Sequence, residues 1–201
     1  KTFRNEIYAD YKANRSEAPD DLVPQFEYIR KSVLAFNLPS VDLINYEADD
    51  LIATYTEQIL AKGAKVTIVS SDKDLMQLYK KEVRLYDPMK NKFVTPEDIV
   101  NKFGVDSKKV IDVQALAGDS SDNVPGVPGI GIKTAAELIN KYGTLEKLLE
   151  NAQEIKQNKR RETLIENKDK AIISKKLVTL KKDAPIDRKI EEFKLLEIDK
   201  D

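Results

Sequence analysis

The chain has 201 residues, 41% of them hydrophobic, which is enough to bury a core without staples. Its 34 Lys+Arg against 35 Asp+Glu leave a net charge of −1, which names no partner. It has no His and no Cys, which excludes imidazole bases, thiolate nucleophiles, disulfides and zinc sites built on either ligand. Any catalysis must run on carboxylates, lysines, hydroxyls or a bound hard cation. No apolar run approaches the ~18 residues of a membrane span. The polar start KTFRNEIYADYK is not a signal peptide, so a cytoplasmic location is expected, and a start at Lys1 reads as a fragment.

Along the chain, residues 1–20 are charged and aromatic. Phe26, Ile29, Val33 and Phe36 recur at helical spacing and predict an amphipathic helix over 23–37. VDLINY (41–46) predicts a short strand. Leu51, Ile52, Tyr55 and Ile59 mark one face of the next helix, which Gly63 stops. KVTIVSS (65–71) is a β-branched run of the kind found in buried parallel strands, and DKDLMQLYK starts another helix. RLYDPMKNKFVT (84–95) predicts a hairpin, and Thr95-Pro96-Glu97-Asp98 a capped helix start. Strands alternating with helices to about residue 80 predict an α/β layer with a mostly parallel sheet. Beyond about 107 only helices and Gly/Pro turns are legible. VPGVPGIG (124–131) separates a helix ending near Ala117 from KTAAELINKYG, which ends at Gly143.

Three carboxylate clusters stand out. Glu47, Asp49 and Asp50 open one helix. Asp72 and Asp74 follow the β-branched run. Asp119 and Asp122 lie in the loop after the helix of 107–117. Helix capping explains one acid per helix at about 0.3–1 kcal/mol, but not three. Strand ends in an open parallel sheet share one edge, so the first two clusters should meet there. Converging like charges cost about 4 kcal/mol per pair at 4 Å and an effective dielectric of ~20, so such a site shifts pKa values or binds cations. Oxygen donors without N or S suit Mg²⁺ or Mn²⁺, and several carboxylates around hard cations is the arrangement of two-metal phosphodiester chemistry.

The string from Asn123 to Ala136 carries Gly126, Gly129 and Gly131 and then Lys133 and Thr134 at a helix start. Glycines permit close approach to a ligand, and N–H groups at a helix N-terminus hold anions. This predicts a helix-hairpin-helix that grips a nucleic-acid backbone without reading bases. A P-loop or dinucleotide fold does not fit, because no strand precedes the glycines. The plain alternative is a tight loop between packed helices.

Together these strings resemble the 5′-nuclease family, most closely the 5′-3′ exonuclease domain of bacterial DNA polymerase I. They are FRNEIYADYKANR (3–15), YEADDLIA (46–53), SSDKDLMQL (70–78) and LAGDSSDNVPGVPGIGIKTA (116–135), in family order. The resemblance implies a PIN-like nuclease core over 1–117 with a helical arch segment at 1–20, then an all-α helix-hairpin-helix module over 118–201. It implies cleavage of DNA at 5′ flaps and 5′ ends, in replication and repair, by two Mg²⁺ ions, with Mn²⁺ able to substitute and room for a monovalent cation at the hairpin. Glu47, Asp49, Asp50, Asp72, Asp74, Asp119 and Asp122 correspond to metal-site carboxylates. Arg4, Lys12 and Arg15 match basic residues of the arch, with Lys12 close to the scissile phosphate. Gly126, Gly129, Gly131, Lys133 and Thr134 match the hairpin that holds the duplex. It further implies a monomer, a nucleoid association and fusion to polymerase domains. In the family a first sheet strand and two more metal-site aspartates lie ahead of the position of Lys1. Two other readings compete: a DNA-binding module without chemistry, and a PIN-type ribonuclease. The duplex-backbone hairpin argues against the ribonuclease, since single-stranded RNA recognition favours stacking surfaces.

Overall fold

In the computed structural model, which describes residues 1–194, the first helix α1 (Phe3–Ile7) is a little over one turn long. Turns over 9–14 follow it, so this stretch is a short helix and a folded loop rather than a helical arch. Helix α2 (Gln25–Ala35) lies within the predicted 23–37 but buries none of its residues. Phe26, Tyr28, Ile29 and Leu34 are all exposed. The strand expected over 41–46 is reduced to one parallel bridge, Asn45 with Thr2. Asn45 sits at φ 75°, a left-handed conformation that ends any extended run, and Ile44 is 90% exposed.

Helix α3 (Ala48–Ala61) ends ahead of Gly63 at φ 74°, as its sequence predicts. Strand β1 (Val66–Val69) pairs in parallel with β2 (Val83–Asp87), which pairs antiparallel with β3 (Lys92–Phe93). The small sheet is therefore mixed. The β1 strand buries Ile68 but leaves Val69 63% exposed, so the expected fully buried strand is an edge strand here. Nothing described pairs with its outer side, where Leu51, Ile52, Tyr55, Ile59 and Val66 line an apolar groove of about 580 Å³. Between β1 and β2 the segment Lys73–Leu78 forms a 3₁₀ turn instead of the expected helix. Leu75, Met76, Gln77 and Leu78 are all buried in succession, which the single apolar stripe of an α-helix cannot provide.

Helix α4 (Pro96–Phe103) has the predicted cap: Thr95 Oγ1 accepts from the Asp98 N–H at 3.1 Å, and Asp98 Oδ2 accepts from the Thr95 N–H at 2.9 Å. Five helices follow: α5 (Val110–Ala117), α6 (Ile132–Tyr142), α7 (Leu145–Glu150), α8 (Asn158–Glu166) and α9 (Lys168–Val178). Helix α5 is the axis of this part. It buries Val110, Val113, Ala115 and Leu116 completely and packs against α6 and α9. Each fully buried Val or Leu contributes about 1.5–3 kcal/mol. One apolar cluster runs from Ala53 and Ile68 through Leu75, Leu85 and Val113 to Leu138 and Leu164, so the sheet layer and the helical layer share a core. That shared core holds the ends of α3, β1 and α5 toward one cleft.

Candidate metal centre and DNA interface

Glu47 and Asp49 stand at the start of α3, Asp72 and Asp74 just beyond β1, and Asp119 and Asp122 in the loop after α5. These six carboxylates line a single cleft of about 320 Å³. The loop is closed by two bonds, Asp119 N–H to Val124 C=O at 3.0 Å and Val124 N–H to Asp119 C=O at 2.8 Å. The 8–15 segment lies over that loop: the Lys12 N–H donates to Asp122 C=O at 2.9 Å, and Asn14 Nδ2 donates to Ser120 C=O at 2.6 Å. Lys12 is held at φ 57°, an uncommon backbone state for a non-glycine residue that often marks functional sites. Its Nζ lies 2.7 Å from Glu47 Oε1 and 3.4 Å from Asp122 Oδ2.

The seventh acid is elsewhere. Asp50 is 0% exposed and Arg4 1%, and the two form a bidentate pair with both N···O distances 2.7 Å. Asp50 is therefore removed from the expected metal set, because both its oxygens are spent on internal donors. Arg4 is likewise removed from the expected catalytic set, its guanidinium being turned into the core. Breaking a buried pair of this kind costs about 3–5 kcal/mol. Burial pushes the Asp50 carboxyl up, but Arg4 and the Lys181 and Glu47 N–H groups outweigh it and hold it below the usual range.

Electrostatics in the cleft follow from crowding. Burial, and then the charges of Asp72, Asp74 and Glu47, push Asp49 up to about 6. Asp74 is also raised by burial and by Asp72, against a bond from Gln114 Nε2 at 2.6 Å. Asp119 goes the other way: its burial is outweighed by Lys73 and by backbone donors. Lys12, Lys73 and Arg15 thus pair with Glu47, Asp119 and Asp122 respectively. The donor set fits hard divalent cations, being all oxygen and carrying two acids, Asp49 and Asp74, whose charges are disfavoured as the cleft stands. Among the described residues no three acids converge on a single finished ion site.

The glycine hairpin divides into two kinds of position. Gly126 is buried at φ 59°, its N–H donates to Ser174 Oγ at 2.9 Å, and a Cβ there would lie 2.5 Å from the Gly118 nitrogen. It is a packing glycine, not the backbone contact expected of it. Gly129 and Gly131 are exposed, with nothing within 4 Å of where a Cβ would stand. Gly131 caps α6, and Lys133 is exposed in the first turn beside half-buried Thr134. Their free N–H end is suited to an anion.

Four residues of the site escape the sequence reasoning. Lys73 lies between the two acids of the second cluster, and that position was signal enough. Tyr11 donates to Glu47 Oε2 at 3.2 Å, and burial and the Glu47 charge push its hydroxyl pKa up. Gln114 and Ser174 carry no local signal.

An α/β frame with a crowded all-oxygen carboxylate cleft at the ends of α3, β1 and α5, sharing its core with a helical layer that carries an exposed glycine turn, defines a class of protein: an α/β domain with an acidic cleft joined to a helical module. Comparison with known proteins agrees. The chain belongs to the 5′-3′ exonuclease family, whose N-terminal resolvase-like domain matches residues 1–104 and whose C-terminal SAM fold matches residues 105–201. A DNA polymerase I of Rhizobium leguminosarum is 57% identical over 93% of this chain, which spans 18% of that protein. A 5′-3′ exonuclease of Buchnera aphidicola is 39% identical over 96% of the chain, which spans 70% of it. A bacteriophage T5 flap endonuclease, solved with DNA and metal ions, superposes with a TM-score of 0.77 at 25% identity, covering 89% of this chain and 70% of that one. Among the described residues no helix is long and apolar enough to cross a membrane.

Proposed function

We propose that this chain is the nuclease part of a structure-specific 5′-3′ exonuclease and flap endonuclease that hydrolyses DNA phosphodiesters at 5′ flaps and 5′ ends. One observation carries this reading: six carboxylates line one cleft whose rim holds Lys12 and Arg15. Glu47, Asp49, Asp72, Asp74, Asp119 and Asp122 would hold two Mg²⁺ ions, with Mn²⁺ able to substitute. Such cations, when bound, activate water and neutralise charge on the phosphate. Lys12 and Arg15 orient the phosphate and take up its charge. Gly129, Gly131, Lys133 and Thr134 hold the duplex backbone, with a monovalent cation at the same turn. We place the protein in the cytoplasm on the nucleoid, as a monomer, fused to polymerase domains. The test is metal-dependent cleavage of a 5′-flap DNA beside the same flap in RNA. Cleavage of DNA only, lost in EDTA, is expected, and RNA cut at an equal rate would favour the ribonuclease.

One observation supports a second reading for the 201-residue stretch alone, DNA binding without cleavage. The outer side of β1 and the apolar face of α2 have no partner among the described residues. An unpaired edge and a bare face leave β1 without a strand partner on one side among the described residues, although the shared core still holds the acids at the cleft. The same flap assay, run on residues 1–201 and on the natural chain with its upstream sequence, separates the two. Comparable rates would show that the acids present here suffice.

A further inference from the structure

We propose that the main chain of Leu177–Lys181, where α9 ends, is the spacer that sets the first acid cluster against the second, and that Arg4, Asp50 and Gln77 are the positioning residues that tie the clusters to it. The proposal rests on the metal-centre reading above.

The segment is laced from both sides, residue by residue. Arg4 Nε donates to the Leu177 carbonyl at 2.8 Å, and Arg4 Nη2 to the Thr179 carbonyl at 3.2 Å. The Lys181 N–H donates to Asp50 Oδ1 at 2.8 Å. On the alternate residues, Gln77 Nε2 donates to the Val178 carbonyl at 3.0 Å, and the Leu180 N–H donates to Gln77 Oε1 at 3.1 Å. Residues 177, 179 and 181 thus serve the Arg4–Asp50 pair, and residues 178 and 180 serve Gln77.

Each partner then reaches a cleft acid. Asp50 Oδ2 accepts from the Glu47 N–H at 3.1 Å, fixing the backbone from which the Glu47 carboxylate projects. Gln77 Nε2 donates to the Asp74 carbonyl at 3.0 Å, fixing Asp74 likewise. Arg4, Asp50 and Gln77 are all buried, and each bond described is closed on a main-chain partner or within the ion pair. A fully satisfied buried polar network admits one arrangement, because any other leaves charges or amides unpaired. The same helix carries Ser174, whose Oγ accepts the Gly126 N–H, so the hairpin hangs from the same support as the two acid clusters.

The experiment uses the full natural polypeptide with Asp50→Asn and, separately, Gln77→Met. Mn²⁺ affinity is read by electron paramagnetic resonance without DNA, duplex affinity by anisotropy in EDTA, and kcat and KM on a 5′-flap DNA across a Mn²⁺ series. Outer partners of metal ligands typically change metal affinity about 10- to 100-fold. Each variant is expected to lose Mn²⁺ affinity in that range. Its kcat should fall at limiting metal and recover as Mn²⁺ is raised, with KM for DNA and affinity in EDTA within about twofold of wild type. Where a variant fails to fold, Arg4→Lys keeps a charge on Asp50, drops the carbonyl bonds and is expected to shift Mn²⁺ affinity the same way. Unchanged Mn²⁺ affinity in the folded variants overturns the proposal, since a merely structural role would lower only the melting temperature. A loss in Asp50→Asn that no Mn²⁺ concentration relieves also overturns it, by making Asp50 a ligand. A wild type that binds no Mn²⁺ sinks the metal-centre reading along with it.

Discussion

The carboxylate cleft and the glycine hairpin are both suited to phosphate chemistry, yet they are built on opposite principles. The cleft gathers like charges, raises Asp49 to about 6 and relies on Lys12, Lys73 and Arg15 as counter-charges. The hairpin offers uncharged backbone at Gly129 and Gly131, with Lys133 beside it. Acids repel a phosphate and can approach it only through a divalent cation, whereas backbone N–H groups need no divalent ion. On the roles proposed for the two regions, grip and chemistry are separable in this molecule. The hairpin should bind duplex in EDTA, and the cleft should act only with metal.

The sharpest way to break that separation is at the acids. Asp72→Asn or Asp119→Asn is expected to lower turnover on a 5′-flap DNA by several orders of magnitude while duplex affinity in EDTA stays at the wild-type level. Wild-type turnover at limiting Mg²⁺ would remove that residue from the metal set. The hairpin side is tested by Gly131→Val. Gly131 sits at φ −88° with open space around it, so the valine enters without strain and stands where a duplex backbone would approach. We expect duplex affinity to fall roughly tenfold whatever the sequence, about 1.4 kcal/mol, with a flatter salt dependence. If affinity holds in the folded variant, the hairpin is a structural turn only.

A smaller effect is expected at Ser174→Ala, which leaves the buried Gly126 N–H without its acceptor. An unsatisfied buried donor costs about 1–3 kcal/mol, so thermal melts should drop by several degrees, with duplex affinity falling as the hairpin loosens. An unchanged melt would show that the hairpin does not depend on α9. The smallest effect concerns pH. Asp49 titrates at about 6 in the fold against an ordinary 3.8, so the folded protein holds this proton more tightly than the unfolded chain. That contribution to stability is complete below the unfolded value and is lost as pH rises through about 6. In EDTA, Asp49→Asn should therefore melt higher than wild type above about pH 6, with the gap closing toward acid. Parallel melting curves across that range would remove Asp49 from the crowded set.

Much of this was legible before any coordinates. Thr95-Pro96 and Gly63 mark helix ends by local chemistry, and both hold in the structure. The absence of His and Cys already leaves oxygen ligands as the choice for a metal. The misreadings share a cause. VDLINY has strand composition but meets only a single bridge among the described residues, and DKDLMQL has helical composition but buries four residues in succession, Leu75 to Leu78. Pairing and burial decide such segments, and neither is local.

Asp49 and Asp50 mark that boundary within two residues. Sequence alone determines that both are carboxylates at a helix start, able to oppose its dipole. Successive residues on a helix point about 100° apart, so the two face different surroundings. What fills those surroundings comes from far along the chain. Asp72 and Asp74 stand near one acid and charge the cleft; Arg4 and the Lys181 N–H close on the other and bury it. Residue type settles what each acid can do. The tertiary structure alone decides that Asp49 faces the cleft and Asp50 the core, because a buried charge is tolerable only where a distant partner has been folded against it.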